Sequence, residues 1–324
     1  MTEPQQGLSY AEILAAARAA ETAGLEAFFR SDHYRGFPGP PDQPTTDAWA
    51  TLAGLARETT TIRIGTLVSP VTFRIPGQFA KVAATVDEMS GGRLEVGMGA
   101  GWNAEEHTAL GIPFPSLRER YDRLEEALAI VHGLWTEPDG WGFDGRHWQV
   151  RDALFRPRPT FSGLRHPHLI LGGDGGPRQA RLVATYADEF NRSSATPRRV
   201  RESYGRVRAA CSAIGRDPAE VVYSAMVGVL VAESQGDLRD RAAAQLAAFG
   251  ANAGDDAAAW LAERRDRWIL GTLDQAAERI GELEAAGTQR IMLQDFLPRD
   301  LDMIALLGRL IRPDRLGDRV AALE

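Results

Sequence analysis

Seven alternations of an apolar, β-branched strand with a helix predict a (β/α)₈ barrel with insertions. Two further observations support that class. The 324 residues suit a barrel of about 250 residues with inserted segments. Glycines also gather at strand ends, at Gly97, Gly99 and Gly101 and again over Gly172–Gly176, where a parallel barrel builds its site. A doubly wound open sheet is the alternative fold. Only Met1–Gln6 precede the first helical pattern, so the first strand is expected to be truncated or very short. If the true start lies upstream of Met1, an N-terminally extended chain is expected to be markedly more stable, because an unpaired strand edge is costly.

Each element has a local signal. Ser9 with Glu12 three residues on forms a capping box for a helix over 9–24, which Gly24 ends. "LEAFFRSD" (25–32) reads as a strand, 46–58 as a helix and "TIRIGTLVS" (61–69) as the next strand. Pro76 opens a helix that runs to Met89, and "RLEVGMG" (93–99) follows as a strand. From 117 to 135, Leu117, Tyr121, Leu124, Leu128, Val131 and Trp135 make a helical stripe. "HLILGG" (168–173), "DEFN" (188–191), "EVVYSAMVGVLVA" (220–232) and "QRIMLQ" (289–294) are strands. They alternate with helices from Pro177, over 197–214, over 273–287 and over 300–311. Segments 136–167 and 234–271 interrupt the pattern. The second, rich in Ala and Arg, reads as a mostly helical insertion, and the whole of 1–324 as one domain.

The formal charge of −7 argues against nucleic acid as a partner. One cysteine, Cys211, cannot form an internal disulfide. No apolar run approaches the roughly 20 residues of a membrane span, and the polar start "MTEPQQGLSY" is unlike a signal peptide. The expectation is a soluble cytoplasmic protein.

"LEVGMGAGWN" (94–103) poses the sharpest question, because glycine weakens a strand unless backbone or ligand must come close. A dinucleotide fingerprint fails here, since Trp102 stands where its third glycine belongs. "GGDGGPR" (172–178) offers a glycine-rich turn with Pro177 in the first helical turn, a pattern that presents free N–H groups at a positive helix end and so suits phosphate. Asp32-His33 follows a predicted strand; this pair reads equally as acid–base groups or as a surface loop. "HPH" (166–168) has the H-x-H spacing of metal-dependent barrel hydrolases but leads into a mid-chain strand, so His166 and His168 are read as structural or exposed. "NAEEH" (103–107) sets carboxylates beside a histidine without a second cluster to complete a metal site. No metal is expected. Trp102, in a glycine loop, is a candidate for the substrate pocket.

Three stretches carry a resemblance: "AAETAGLEAFFRSDH" (19–33), residues 64–128 from "IGTLVSPVTFRIPGQFA" onward, and "LILGGDGGPRQARLVATYADEFN" (169–191). They resemble the luciferase-like monooxygenase superfamily, within it the oxidoreductases that use coenzyme F420, a deazaflavin. The resemblance implies a (β/α)₈ barrel with deazaflavin or FMN across its C-terminal mouth. It implies Asp32 and His33 beside the reactive ring, and a bulge with a non-prolyl cis peptide at Leu67-Val68 backing it. Ala100 and Gly101 would line the cofactor, with Gly97 and Gly99 allowing its approach. Gly175 and Gly176, with Gly173 nearby, would hold its phosphate. The sugar-phosphate dehydrogenases of this branch carry an acidic residue where Trp102 stands, which argues against that substrate. The implied activity is hydride transfer between the deazaflavin and a small organic substrate, in a homodimer. The alternatives are an FMN-dependent monooxygenase needing a reductase partner, and a non-catalytic barrel subunit.

Overall fold

The computed structural model describes residues 1–159, 166–250 and 256–311. In chain order the elements are α1 (Tyr10–Thr22), β1 (Ala27–Arg30), α2 (Ala48–Glu58), β2 (Arg63–Pro70), α3 (Pro76–Ser90), β3 (Leu94–Gly99), α4 (Ala104–Ala109) and α5 (Leu117–Thr136). A hairpin of β4 (Trp141–Asp144) and β5 (Gln149–Ala153) follows. The remainder is β6 (His168–Gly173), α6 (Pro177–Tyr186), β7 (Glu189–Arg192), α7 (Pro197–Ala213), β8 (Val222–Ala232), α8 (Gln235–Ala248), α9 (Ala257–Arg264), β9 (Ile269–Thr272), α10 (Leu273–Ala285), β10 (Arg290–Asp295) and α11 (Leu301–Leu310).

The main sheet is parallel, in the order β1-β2-β3-β6-β7-β8-β10. This wall curls until β1 and β10 face each other, and Thr2 bridges Arg30 on one side and Asp295 on the other. The place of the predicted short first strand is held by a single bridging residue, Thr2. The Thr2 amide donates to the Phe29 carbonyl and the Ser31 amide to the Thr2 carbonyl; the Asp295 amide donates to the Met1 carbonyl and the Met1 amine to the Leu293 carbonyl. Below this latch lies a cavity of about 440 Å³ between β1, β10, α1, α10 and α11, lined by Ala20, Phe28, Ile280, Ile291 and Leu307 among others.

Local signals hold where they were strong. Ser9 and Glu12 form the capping box, Pro76 and Pro177 begin α3 and α6, and β6 spans 168–173. The described part of the second interrupting segment is mostly helical, as expected, through α8 and α9, but it ends in a short strand. This strand, β9, pairs in parallel with Val229–Ala232 of β8, so 234–271 is not purely helical. Residues 160–165 and 251–255, inside the two interrupting segments, lie outside the described residues. The helices bury one face each against the strands, with Ile13, Leu52, Ala83, Leu128, Val183 and Val207 fully buried. Among the described residues, no helix is long and apolar enough to cross a membrane.

Candidate active site at the barrel mouth

The C-terminal ends of β1, β2, β3 and β6 bring together most of the residues singled out above. β2 carries a cis peptide at Leu67-Val68, and its register with β3 shifts between Thr66 and Ser69. Leu67 turns into the barrel with Phe29, Ile170 and Met292. Val68 accounts for the alternating glycines. A Cβ at Gly97, Gly99 or Gly172 would lie 2.9, 2.8 and 2.9 Å from its methyl groups, and one at Gly97 would also strike the Thr66 carbonyl oxygen at 2.1 Å. Those glycines make room for the bulge of the neighbouring strand, a different reason from the approach of a cofactor. Gly101 has φ +77° and sits over Pro70 and Thr72, next to the partly buried Ala100.

Asp32 and His33 are adjacent in sequence but have different surroundings. Asp32 is 1% exposed. Its carboxylate accepts from Ser69 Oγ at 2.6 Å and from both terminal nitrogens of Arg74. Arg74 also donates to Asp47 at 2.7 Å and to the Tyr34 hydroxyl at 3.0 Å. Burial alone would lower the Arg74 pKa, but the facing Asp32 carboxylate more than reverses this and holds it above its ordinary value. Burial, with the Asp47 hydrogen bond, pushes the Tyr34 hydroxyl up. Asp32 is thus the anchor of a buried ion-pair network under the loop.

His33 lies at the edge of the mouth. Its Nδ1 is 2.9 and 3.1 Å from the two oxygens of Glu106, which is 1% exposed. Its ring meets Phe37 edge-on at 4.4 Å between centroids and Trp102 at 5.7 Å, and Phe37 and Trp102 meet each other at 5.2 Å. Trp102 remains 65% exposed, so three rings form a wall with one open side. Neither Glu106 nor Phe37 was singled out by sequence reasoning. The only signal was that "NAEEH" placed carboxylates in the loop after β3. His107 of that motif is buried, bonded through its two ring nitrogens to Asn103 and Thr72.

The glycine turn after β6 divides its labour. Gly173 (φ +151°) packs on Gln179, and Gly175 (φ +66°) packs on Phe190, so both shape the turn. The Gly175 amide already donates to Gln179 Oε1 at 2.8 Å. Gly176, the N-cap of α6, has open space where a Cβ would stand. The Gly176, Arg178 and Gln179 amides have no acceptor among the described residues, as the first bond of this helix runs from Ala180 to Gly176. Arg192, 6% exposed, points a guanidinium at the turn through Asp174 and leaves a buried Nε unpartnered. Free amides at a helix N-terminus, an open Cα and an unsatisfied buried arginine donor all fit a bound phosphate.

At the opposite end of the barrel, Glu95, His168 and Glu189 hold ligand-type atoms within 4.8 Å of one another. Arg290 donates to Glu95 at 2.7 Å and to Glu189 at 2.9 Å, so a cation of the protein's own occupies that position.

Residues 1–308 match the profile of the luciferase-like monooxygenase family. The chain belongs to this family. An F420-dependent glucose-6-phosphate dehydrogenase from Beutenbergia cavernae is 33% identical over 183 residues, 55% of this chain and 51% of that protein. The match thus spans about half the length of that relative. The pyrimidine monooxygenase RutA from Stutzerimonas stutzeri is 26% identical over 311 residues, 94% of this chain and 79% of RutA. Among solved structures, an F420-dependent secondary alcohol dehydrogenase holding an F420-acetone adduct superposes with a TM-score of 0.77 at 21% identity, covering 94% of this chain and 95% of that one. At that identity the likeness concerns the fold alone.

Proposed function

We propose that this family member is an oxidoreductase that moves a hydride between coenzyme F420 and a small, uncharged organic substrate, as a cytoplasmic homodimer. The observation that carries the reading is His33, tied at Nδ1 and walled by Phe37 and Trp102 at the mouth of the barrel. That wall is aromatic and suits an apolar substrate. The F420-dependent relatives support the cofactor.

The bound deazaflavin supplies a carbon centre that exchanges a hydride with substrate. In this reading the Gly176, Arg178 and Gln179 amides and Arg192 take the phosphate, with Gly173 and Gly175 setting the turn. Leu67, Val68, Ala100 and Gly101 back and line the ring. His33 Nε2 accepts or returns the proton on the substrate oxygen, Trp102 and Phe37 keep water from that proton, and Asp32 holds the loop through Arg74 and Ser69.

A second reading, an FMN-dependent monooxygenase, is favoured by the longer RutA match. Titrating the purified protein with F420 and with FMN separates the two. F420 is expected to bind at least about tenfold more tightly, roughly 1.4 kcal/mol, and turnover is expected not to consume oxygen. Tighter FMN binding with oxygen-dependent turnover overturns the proposal.

A further inference from the structure

We infer that Glu106 is a positioning residue that fixes the tautomer of His33; this rests on the reading of His33 as the proton-handling group. Glu106 comes from α4, in the loop after β3, while His33 follows β1. The two are 73 positions apart in sequence. Both carboxylate oxygens face Nδ1, at 2.9 and 3.1 Å, and the Tyr34 backbone amide donates to Oε2 at 3.1 Å. Every partner of this buried carboxylate is thus a nitrogen that donates or can donate. An ionised carboxylate only accepts. The neutral imidazole must then carry its hydrogen on Nδ1 and keep a lone pair on Nε2.

The other ring nitrogen has no hydrogen-bond partner among the described residues, and the neighbouring Phe37 and Trp102 rings offer it none that competes with a substrate oxygen. The ring is therefore oriented from behind and basic in front. The same carboxylate holds the Tyr34 amide, so ring orientation and loop position are set by one group. A lone structural role would need only the amide contact. The bidentate approach to Nδ1 is what points to the tautomer.

The test reads the tautomer and the kinetics separately. Nitrogen-15 NMR of histidine-labelled protein, without cofactor, is expected to show His33 protonated at Nδ1 in wild type. It should show a mixture or the Nε2–H form in Glu106→Leu. Glu106→Gln has a single oxygen, which the Tyr34 amide holds, so its NH2 faces Nδ1 as a donor and should drive His33 to the Nε2–H form. In turnover, Glu106→Leu should lower kcat by at least about tenfold, with KM changed less than kcat and cofactor Kd near wild type, and Glu106→Gln, which keeps the Tyr34 contact but favours the other tautomer, should lose at least as much. An unchanged His33 tautomer in Glu106→Leu overturns the inference. So does a kcat loss in Glu106→Leu that tracks a matching loss of cofactor binding and thermal stability, or full activity in Glu106→Gln, either of which marks a purely structural role. Full activity in His33→Ala, with the tautomer still responding to Glu106, would instead remove His33 from the chemistry and leave its pairing with Glu106 intact.

Discussion

The mouth and the floor of this barrel both thread an arginine between two carboxylates, yet they do different work. At the floor Arg290 lies between Glu95 and Glu189, with His168 2.9 Å from Glu189 and Arg63 on Glu95. These five residues come from β2, β3, β6, β7 and β10, so the cluster ties five strands across the barrel interior. At the mouth Arg74 lies between Asp32 and Asp47, and all three belong to loops or a helix cap. The floor is closed upon itself. The mouth stabilises its loops while leaving His33 outside the ion-pair network, with one ring nitrogen engaged and the other available. Charge at the floor holds strands together, and charge at the mouth holds a reactive group in place.

Removing each arginine should break the comparison most directly. Arg290→Met leaves two carboxylates buried at 2% and 0% exposure without their shared cation. That is expected to cost about 3–5 kcal/mol and to lower Tm by on the order of 10 °C. Arg74→Met should cost less, about 1–3 kcal/mol, because the Asp47 side chain is 38% exposed and can be hydrated. Its larger effect should fall on turnover, through the displaced loop. Calorimetry and steady-state rates on both variants decide the matter. Equal stability losses with unchanged turnover for Arg74→Met would show that the two clusters do the same work.

The glycine turn sharpens the contrast on a smaller scale. Gly176→Val meets open space and should leave Tm near wild type while weakening cofactor binding about tenfold or more, roughly 1.4 kcal/mol. Gly175→Val meets Phe190 at 2.9 Å and a φ of +66°. It should lower stability by about 1–3 kcal/mol. Thermal melts paired with cofactor titrations read both effects. Cofactor affinity unchanged in Gly176→Val places the phosphate elsewhere.

The smallest expected effect is one of pH at the floor. Burial opposes a charged His168, but the hydrogen bond to Glu189 and the nearby Glu95 carboxylate outweigh it and raise its pKa above the ordinary 6.5. A raised folded-state value stabilises the fold fully below the unfolded value of 6.5 and loses that contribution as pH rises through the folded value. The Tm advantage of wild type over His168→Gln should therefore shrink as pH increases above about 6.5. An advantage that grows with pH would mean that His168 is neutral in the folded protein.

What could be read from the sequence follows the range of the forces involved. The capping box at Ser9, the prolines at 76 and 177 and the six-residue β6 act within one turn or one strand, so their signals sit side by side in the chain. β9 was hidden because four residues, half of them not fully buried, give no periodicity to read; its pairing with β8 decides it. The mouth was partly legible, through His33, Asp32, Trp102 and the 172–178 turn. Glu106 was not, because only the closeness of the loops after β1 and β3 brings it to His33. The floor cluster was equally hidden, as its five members stand at or next to the first residue of five different strands, with Arg290 195 positions from Glu95. The alternating glycines were conspicuous in the sequence, but their cause lies on the adjoining strand, in Val68.

The closure at Thr2 gives the barrel an uneven ring. Elsewhere in the ring, among the described residues, neighbouring strands share ladders of four or more residues, whereas the backbones of β1 and β10 are bridged through Met1 and Thr2 alone. Such a ring should yield at its clasp. Amide protons along β1 and the edge of β10 should exchange with solvent sooner than those of β3 and β6, and the wall should part at one seam while the other strands remain paired. The clasp sits on the same rim as His33, since Ser31, two residues before it, donates its amide to Thr2. The first motion toward unfolding is therefore expected beside the candidate site, which exchange along β1 and β10 would read.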